Sequence, residues 1–383
     1  MSKKTKKSVV LGQPSWRVKN DSVDAYVTRL GGHLAPVSFA LGDNRTAQPF
    51  LVAPWAKEKV PKDTPDLLRA LRGDFFCMPF GNNEEEDYEG EEHPYHGEPA
   101  SAKWKLVEAG RDGDDTTLHL RLKTKVRKGR VDKVIRLVAG HSAVYSRHTI
   151  SGMGGPTCLG HHATLLFPDY PGSGVISTSK FVYGQTYHSP CEDPAAGGYS
   201  SFKPGAVIKS LDKVALAAGG TTDLSRYPDR RGFEDIAILV ADPKLDVAWT
   251  AVTFPKEGYV WFSLKDPKVL ASTLMWHSNA GRHYSPWNGR NINTLGLEEI
   301  TGHFHDGLKV SVNPNSLSRK GYKTKIDLDP ETPTVVNTII AMAPIPKGFA
   351  KVKSITVTAD GVTLQSTGRA SVTVPLDPAW LQG

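Results

Sequence analysis

Long apolar runs are missing: nothing in the 383 residues approaches the roughly 20 consecutive apolar residues of a membrane-spanning helix, so no membrane partner is expected. Cysteine is scarce. Cys77, Cys158 and Cys191 are odd in number and far apart, which argues against a disulfide framework. There is no glycine-rich phosphate loop and no internal repeat of about 20–50 residues, which excludes a P-loop nucleotide site, a solenoid and a propeller. Helical patterning is limited to one short stretch, with Thr64 as the expected N-cap, Pro65 at the first position and Asp66-Leu-Leu-Arg-Ala-Leu-Arg72 behind them. Val9-Val10-Leu11-Gly12 is too short to be the apolar core of a signal peptide, so a cytoplasmic location is the expectation.

Positive charge is also less abundant than the net +7 suggests. Four of those charges are Lys3, Lys4, Lys6 and Lys7; taking 4 from 7 leaves +3 on the rest. Without a basic strip interleaved with aromatics, no nucleic-acid partner is expected. The lysine run reads as a solvated tail over residues 1–8, ahead of a single domain over 9–383.

Short runs with a period of two are what the sequence has in quantity. In Thr117-Leu-His-Leu-Arg-Leu-Lys123 the leucines point one way and the polar residues the other, as in a half-buried strand. Strand-like runs recur at Lys133–Val138, Ala143–Ile150, Ile236–Ala241, Val247–Phe254, Tyr259–Leu264, Leu270–Trp276, Lys325–Leu328, Val335–Ala341, Ser354–Thr358 and Ser371–Val374. Asp360-Gly361, between two such runs, predicts a type I′ hairpin. The 36 glycines and 27 prolines are spread along the chain, so no linker divides it. Many strands and few helices predict an all-β fold, a large antiparallel β-sandwich.

Three stretches are dense in polar and aromatic residues. The first contains Arg72-Gly-Asp-Phe-Phe-Cys-Met-Pro-Phe-Gly-Asn-Asn83 and His93-Pro-Tyr-His-Gly-Glu-Pro99, with Trp104 behind it. The second is Cys158-Leu-Gly-His-His-Ala-Thr-Leu-Leu-Phe-Pro168. The third runs from Leu274 to Arg290 and is followed by Leu295-Gly-Leu-Glu-Glu299. Their order, a His-Gly loop before a Trp, a His-rich strand ending in Phe-Pro and a late Gly-Leu-Glu, resembles the aldose 1-epimerase (galactose mutarotase-like) family. Leu30-Gly-Gly-His-Leu-Ala-Pro-Val-Ser38 is similar to the Gly-Ala turn that opens the first strands of that family. The resemblance spans roughly Leu30 to Asp306.

That resemblance implies the galactose mutarotase-like supersandwich and an isomerase that interconverts sugar anomers. A small-molecule sugar is the implied partner, and neither cofactor nor metal is expected. Carried over by position, His96 matches the first histidine of the family, His161 or His162 the second, and Glu298 the carboxylate, with Glu299 a nearby alternative. Arg72 and Asn82 match an early Arg and Asn, and Asp235 is the candidate for a sugar-binding Asp. Two departures point to a divergent branch: His96-Gly97-Glu98 stands where the family has His-Gly-Gly, and His161-His-Ala-Thr164 where it commonly has His-Pro-Tyr-Phe.

Anomer exchange needs one proton removed from the anomeric hydroxyl and one given to the ring oxygen, work suited to a carboxylate and an imidazole. Glu298 is the expected base and His161 or His162 the acid; strand alternation sends only one of that pair to the site. His96, Asn82 and Arg72 would hydrogen-bond ring oxygen or hydroxyls. Trp276 or Trp287 would stack on the sugar, and Asn279, Arg282 and Arg290 would bind hydroxyls or a phosphorylated or acidic substituent. The altered second motif leaves a non-catalytic carbohydrate-binding protein of the same fold as the alternative. The acidic run Glu84–Glu92 reads as a solvated loop, and His93, His96, His161 and His162 lack the spacing of a known zinc site.

Overall fold

The computed structural model describes residues 7–85 and 87–383, so the expectations for Lys3, Lys4, Lys6 and Glu86 lie outside the described residues. Every expected run overlaps a strand, with Val247, Leu270, Ala271 and Lys325 lying just outside theirs, and the named strands pair antiparallel throughout. Two large sheets face each other. One has nine strands, with Tyr259–Lys265, Thr334–Pro344 and Ala143–Ser151 at its centre. The other has six, in the order Phe181–Thr186, Phe233–Ala241, Ser272–Asn279, Thr294–Thr301, Leu159–Leu166, Phe76–Cys77.

Period-two alternation explains how the six-stranded sheet serves two purposes. Leu295, Leu297, Met275, Ala237 and Leu239 point toward the nine-stranded sheet and join the main core between the sheets. Their neighbours in sequence, Trp276, Leu274, Ile236, Ile238 and Ile300, point the other way. That outer face is covered by loops and by the helices Asp66–Ala70 and Gly307–Val312, which contribute Leu67 and Leu308 to a second apolar cluster. A five-stranded N-terminal sheet extends the main core through Trp16, Val18 and Val27. A three-stranded C-terminal sheet packs Val352, Val362, Leu364 and Val374 on the back of the nine-stranded one.

Two local expectations need correction. The helix is a single turn whose N-cap is Pro65, with no side-chain cap. It stops at Leu71 because the chain there joins a bridge: Ala53 N–H donates to the Leu71 carbonyl, and Val52 pairs with Arg72. The hairpin at Asp360-Gly361 exists, but Thr358 pairs with Gly361, so the two-residue loop is Ala359-Asp360, one residue earlier than expected. Glycine is required at 361 for a different reason than turn type: a Cβ there would lie 2.1 Å from the Val374 carbonyl oxygen.

The two sheets are joined by polar contacts as well as apolar ones. Glu299, on the inward face of its strand, pairs with Lys265 of the nine-stranded sheet, and both side chains are buried. Ser263 Oγ (2.8 Å) and Thr273 Oγ1 (2.7 Å) donate to the same carboxylate. Glu299 is thereby committed to holding the sheets together and does not face the opposite surface where Glu298 lies. Removing one partner of such a pair leaves the other charge buried alone. Lys265→Met is therefore expected to cost about 3–5 kcal/mol in urea denaturation, while Lys265→Met with Glu299→Leu recovers most of the loss.

Candidate functional site

The strands Leu159–Leu166 and Thr294–Thr301 pair so that His162 stands directly opposite Glu298, and Leu274 stands opposite Glu298 on its other side. Side chains opposed in this way share a face, so Leu274, Glu298 and His162 form one row across the sheet. His162 Nε2 lies 3.3 Å from Glu298 Oε1, and its Nδ1 lies 3.1 Å from Thr164 Oγ1. Phe75 stacks on the His162 ring at 4.4 Å and on His33 at 4.1 Å, which fixes the plane of the imidazole. Gly296 sits two residues before Glu298 on the same face. A Cβ there would lie 2.5 Å from Glu298 Oε1, so the Gly-Leu-Glu order leaves room for the carboxylate.

His96 reaches the same place from a loop. His96 and Gly97 both have left-handed backbones (φ 58° and 76°), and a Cβ on Gly97 would lie 2.0 Å from the Met78 carbonyl oxygen. The Gly81 N–H donates to His96 Nδ1 at 3.1 Å. The neutral ring therefore carries its proton on Nε2, as a donor. His96 packs edge-on against His162, with ring centroids 5.0 Å apart.

Around these three groups lies a pocket lined by Leu67, Leu71, Tyr95, Trp276, Arg282, Trp287 and His305. Trp276 Nε1 donates to Glu234 Oε2 at 3.0 Å. The Arg282 guanidinium lies 4.7 Å from the Trp287 ring centre and 5.5 Å from that of Trp276. Its Nε donates to Glu192 at 2.6 Å, and Glu234 stands 3.9 Å away. Burial opposes the charge of Arg282, but the two carboxylates outweigh it and keep the group protonated. Burial raises Glu234 to about 7.

Desolvation sets the protonation of the central pair. It pushes Glu298 well above the ordinary carboxylate range and lowers His162 to about 3. His96 is lowered strongly for the same reason. Although the His162–Glu298 distance would suit an ion pair, both shifts favour the uncharged forms. The contact at 3.3 Å therefore brings together two groups whose uncharged forms burial favours.

The other positions singled out in the sequence lie elsewhere. His161 points to the opposite face, where its Nδ1 meets Asp74 Oδ2 at 2.8 Å and its ring packs against His148. Arg72 is fully buried and donates to the carbonyls of Ala70, Val10 and Leu11, fastening the N-terminal hairpin. Asp235 accepts the N–H groups of Ser201 and Phe202. Asn279 bridges Arg230 O and Asn293 N. Arg290 pairs with Glu58 on the surface. Asn82 lines a neighbouring cleft and accepts from Glu84 N. The four histidines weighed as zinc ligands do not converge: His161 is on the far face, and His93 pairs with Glu91. In exchange, the pocket gains Tyr95, His305 and, behind Trp276, Glu234. Tyr95 is the neighbour of His96, and His305 follows the Glu298 strand in a His-Phe-His turn, both visible signals.

The architecture is that of galactose mutarotase-like proteins. The chain superimposes on a candidate aldose 1-epimerase from Escherichia coli K12 with a TM-score of 0.55 and 14% identity, covering 86% of this chain and 99% of the other. A galactose mutarotase-like protein from Clostridium acetobutylicum gives a TM-score of 0.55 at 10% identity over 88% of this chain and 98% of its own. A galactose mutarotase related enzyme from Lactobacillus acidophilus gives 0.53 at 10% over 86% and 97%. No family model matches the sequence, and no curated protein does.

Two outcomes follow from this geometry. Gly296→Ala should lose about 1–3 kcal/mol through overpacking, and less in a Glu298→Ala background where the clashing atom is gone; urea denaturation of the four proteins measures the coupling. The second concerns pH. A carboxyl whose folded pKa exceeds its unfolded one weakens the fold progressively as pH rises above the unfolded value. Glu298→Gln should therefore match wild type in stability near pH 4 and exceed it increasingly toward pH 8, with a difference in slope of at most about 1.4 kcal/mol per pH unit.

Proposed function

We propose that the pocket binds a sugar or sugar derivative in its pyranose form and interconverts its anomers, as a divergent relative of aldose 1-epimerases. The single observation that carries this reading is the meeting of Glu298, His162 and His96 in one pocket with two tryptophans. Glu298 and His162 lie 3.3 Å apart, and burial favours a protonated Glu298 beside a neutral His162. Turnover calls for the proton to pass to His162 when a ligand parts the two, against the preference that burial sets, so that Glu298 becomes the carboxylate. The carboxylate removes the proton of the C1 hydroxyl while His162 Nε2–H protonates the ring oxygen. The C1–O5 bond breaks, the aldehyde turns about C1–C2, and the reverse transfers close the ring on the other face.

His96, whose Nε2 bears a proton, donates to an oxygen that gains negative charge in this sequence. Trp276 and Trp287 supply apolar walls, and the terminal nitrogens of Arg282 are the donors for hydroxyls. One observation favours a second reading, sugar binding without turnover: the acid and the base already engage each other, so a ligand that fails to separate them is held but not converted.

Anomer exchange followed by NMR over a panel of sugars separates the two. Glu298→Gln and His162→Asn should each slow exchange by about 10²–10⁴-fold. Arg290→Ala, on the surface, should change it less than about twofold. Calorimetric binding without exchange, unaffected by Glu298→Gln, would establish the second reading.

A further inference from the structure

A cluster of side chains beyond the pocket has no part in the chemistry above. His303 Nδ1 lies 2.6 Å and His188 Nε2 3.0 Å from one and the same oxygen, Asp306 Oδ2. The three atoms lie within 4.8 Å of one another. The chain builds this from the strand that carries Glu298. After Thr301 it passes through Gly302 into His303-Phe-His-Asp306, and Phe304 takes a left-handed backbone (φ 48°) that is strained for an aromatic residue. The turn is closed by the Asp306 N–H donating to the His303 carbonyl at 3.1 Å, so residues 303 and 306 face the same side. His188 arrives from the loop after Phe181–Thr186 and stacks on His303.

We propose that His188, His303 and Asp306 form a binding site for a divalent transition-metal ion of the zinc class. Two imidazoles and one carboxylate suit such an ion, whereas calcium and magnesium prefer all-oxygen sets. The outer contacts are those that ready ligands for a metal. His303 Nε2 lies 2.8 Å from Ser316 Oγ, which can accept its proton and leave the Nδ1 lone pair free. Tyr187 OH donates to the second oxygen of Asp306, leaving Oδ2 for the ion. With metal–ligand bonds of about 2.0–2.1 Å, a tetrahedral site sets its donors about 3.3 Å apart, so His303 and Asp306 separate by less than about 1 Å on loading.

Three protein donors leave a coordination position open for water or a ligand oxygen. It faces a cleft that also contains Asn82, Glu85, Cys191 and His305. The His188 side chain is 45% exposed, giving an ion access from solvent. His305 lines both this cleft and the pocket of Glu298, and its Nδ1 is buried without a hydrogen-bond partner. The ion is thus placed one side chain away from the pocket.

The test is metal binding itself, and it stands apart from anomer exchange. The full chain, stripped with chelator, is titrated with Zn²⁺ by calorimetry and with Co²⁺ by visible absorption. One ion per chain is expected, with no comparable binding of Ca²⁺ or Mg²⁺. His188→Ala and Asp306→Asn should each weaken Zn²⁺ binding by at least ~100-fold, and His283→Ala, in another loop, should leave it unchanged. Because His188 is half exposed, its variant keeps the test valid even where Asp306→Asn fails to fold. Absence of Zn²⁺ loading by the wild type, or loading with the same affinity in His188→Ala, overturns the proposal in favour of a hydrogen-bonded His-Asp-His hub.

Discussion

The register between the Leu159–Leu166 and Thr294–Thr301 strands is the constraint on which the rest of the structure depends. Pairing His162 with Glu298 and His161 with Glu299 assigns four polar side chains to two faces in one stroke. A slip of one residue would exchange the faces. It would drive the Glu298 carboxyl into the core between the sheets and strip Lys265 of its counter-charge. The register is therefore held from both sides, by leucines 295 and 297 in the apolar core and by the Lys265–Glu299 pair across it.

Burial on both faces is what gives the pocket its electrical character. All eight residues of the Thr294–Thr301 strand are buried, so Glu298 has no route to bulk water along its own strand. Its partners are an imidazole, a glycine gap and apolar walls from Leu274 and Trp276. Among the described residues lining the pocket, Arg282 is the only lysine or arginine, and Glu192 and Glu234 already engage it. The upward push on the Glu298 carboxyl is the direct result.

The fold was legible because alternation is a local property, written in each strand independently, and the three polar stretches stood out against it. His96, His162, Glu298, Trp276, Trp287 and Arg282 were legible as candidates because they stand in the three dense polar and aromatic stretches, and the fold brings all six to one pocket. Arg72, Asp235 and Asn279 were not, for a common physical reason. Each satisfies buried backbone groups, and a guanidinium or carboxylate recruited to cap main-chain atoms looks the same in a sequence as one that binds a ligand. His161 illustrates a different limit. Alternation says that one of two adjacent histidines turns away, but only the register with the partner strand says which one.

His161 also shows why the polar residues on the far face belong to the same design. Its Nδ1 is held by Asp74, a residue of the segment that passes behind His162, and the next residue, Phe75, stacks on the His162 ring. One short stretch thus grips both histidines, the first by a hydrogen bond and the second by its plane. Because Phe75 also stacks on His33, which is anchored to the Ala100 carbonyl beside the His96 loop, the orientation of His162 is tied to the loop that supplies its neighbour. The pocket is therefore set by a column of rings running through the sheet edge, and moving His96 relative to His162 requires moving that whole column. Rigidity of this kind fixes the 3.3 Å spacing between His162 Nε2 and Glu298 Oε1 and the place of the His96 ring beside them.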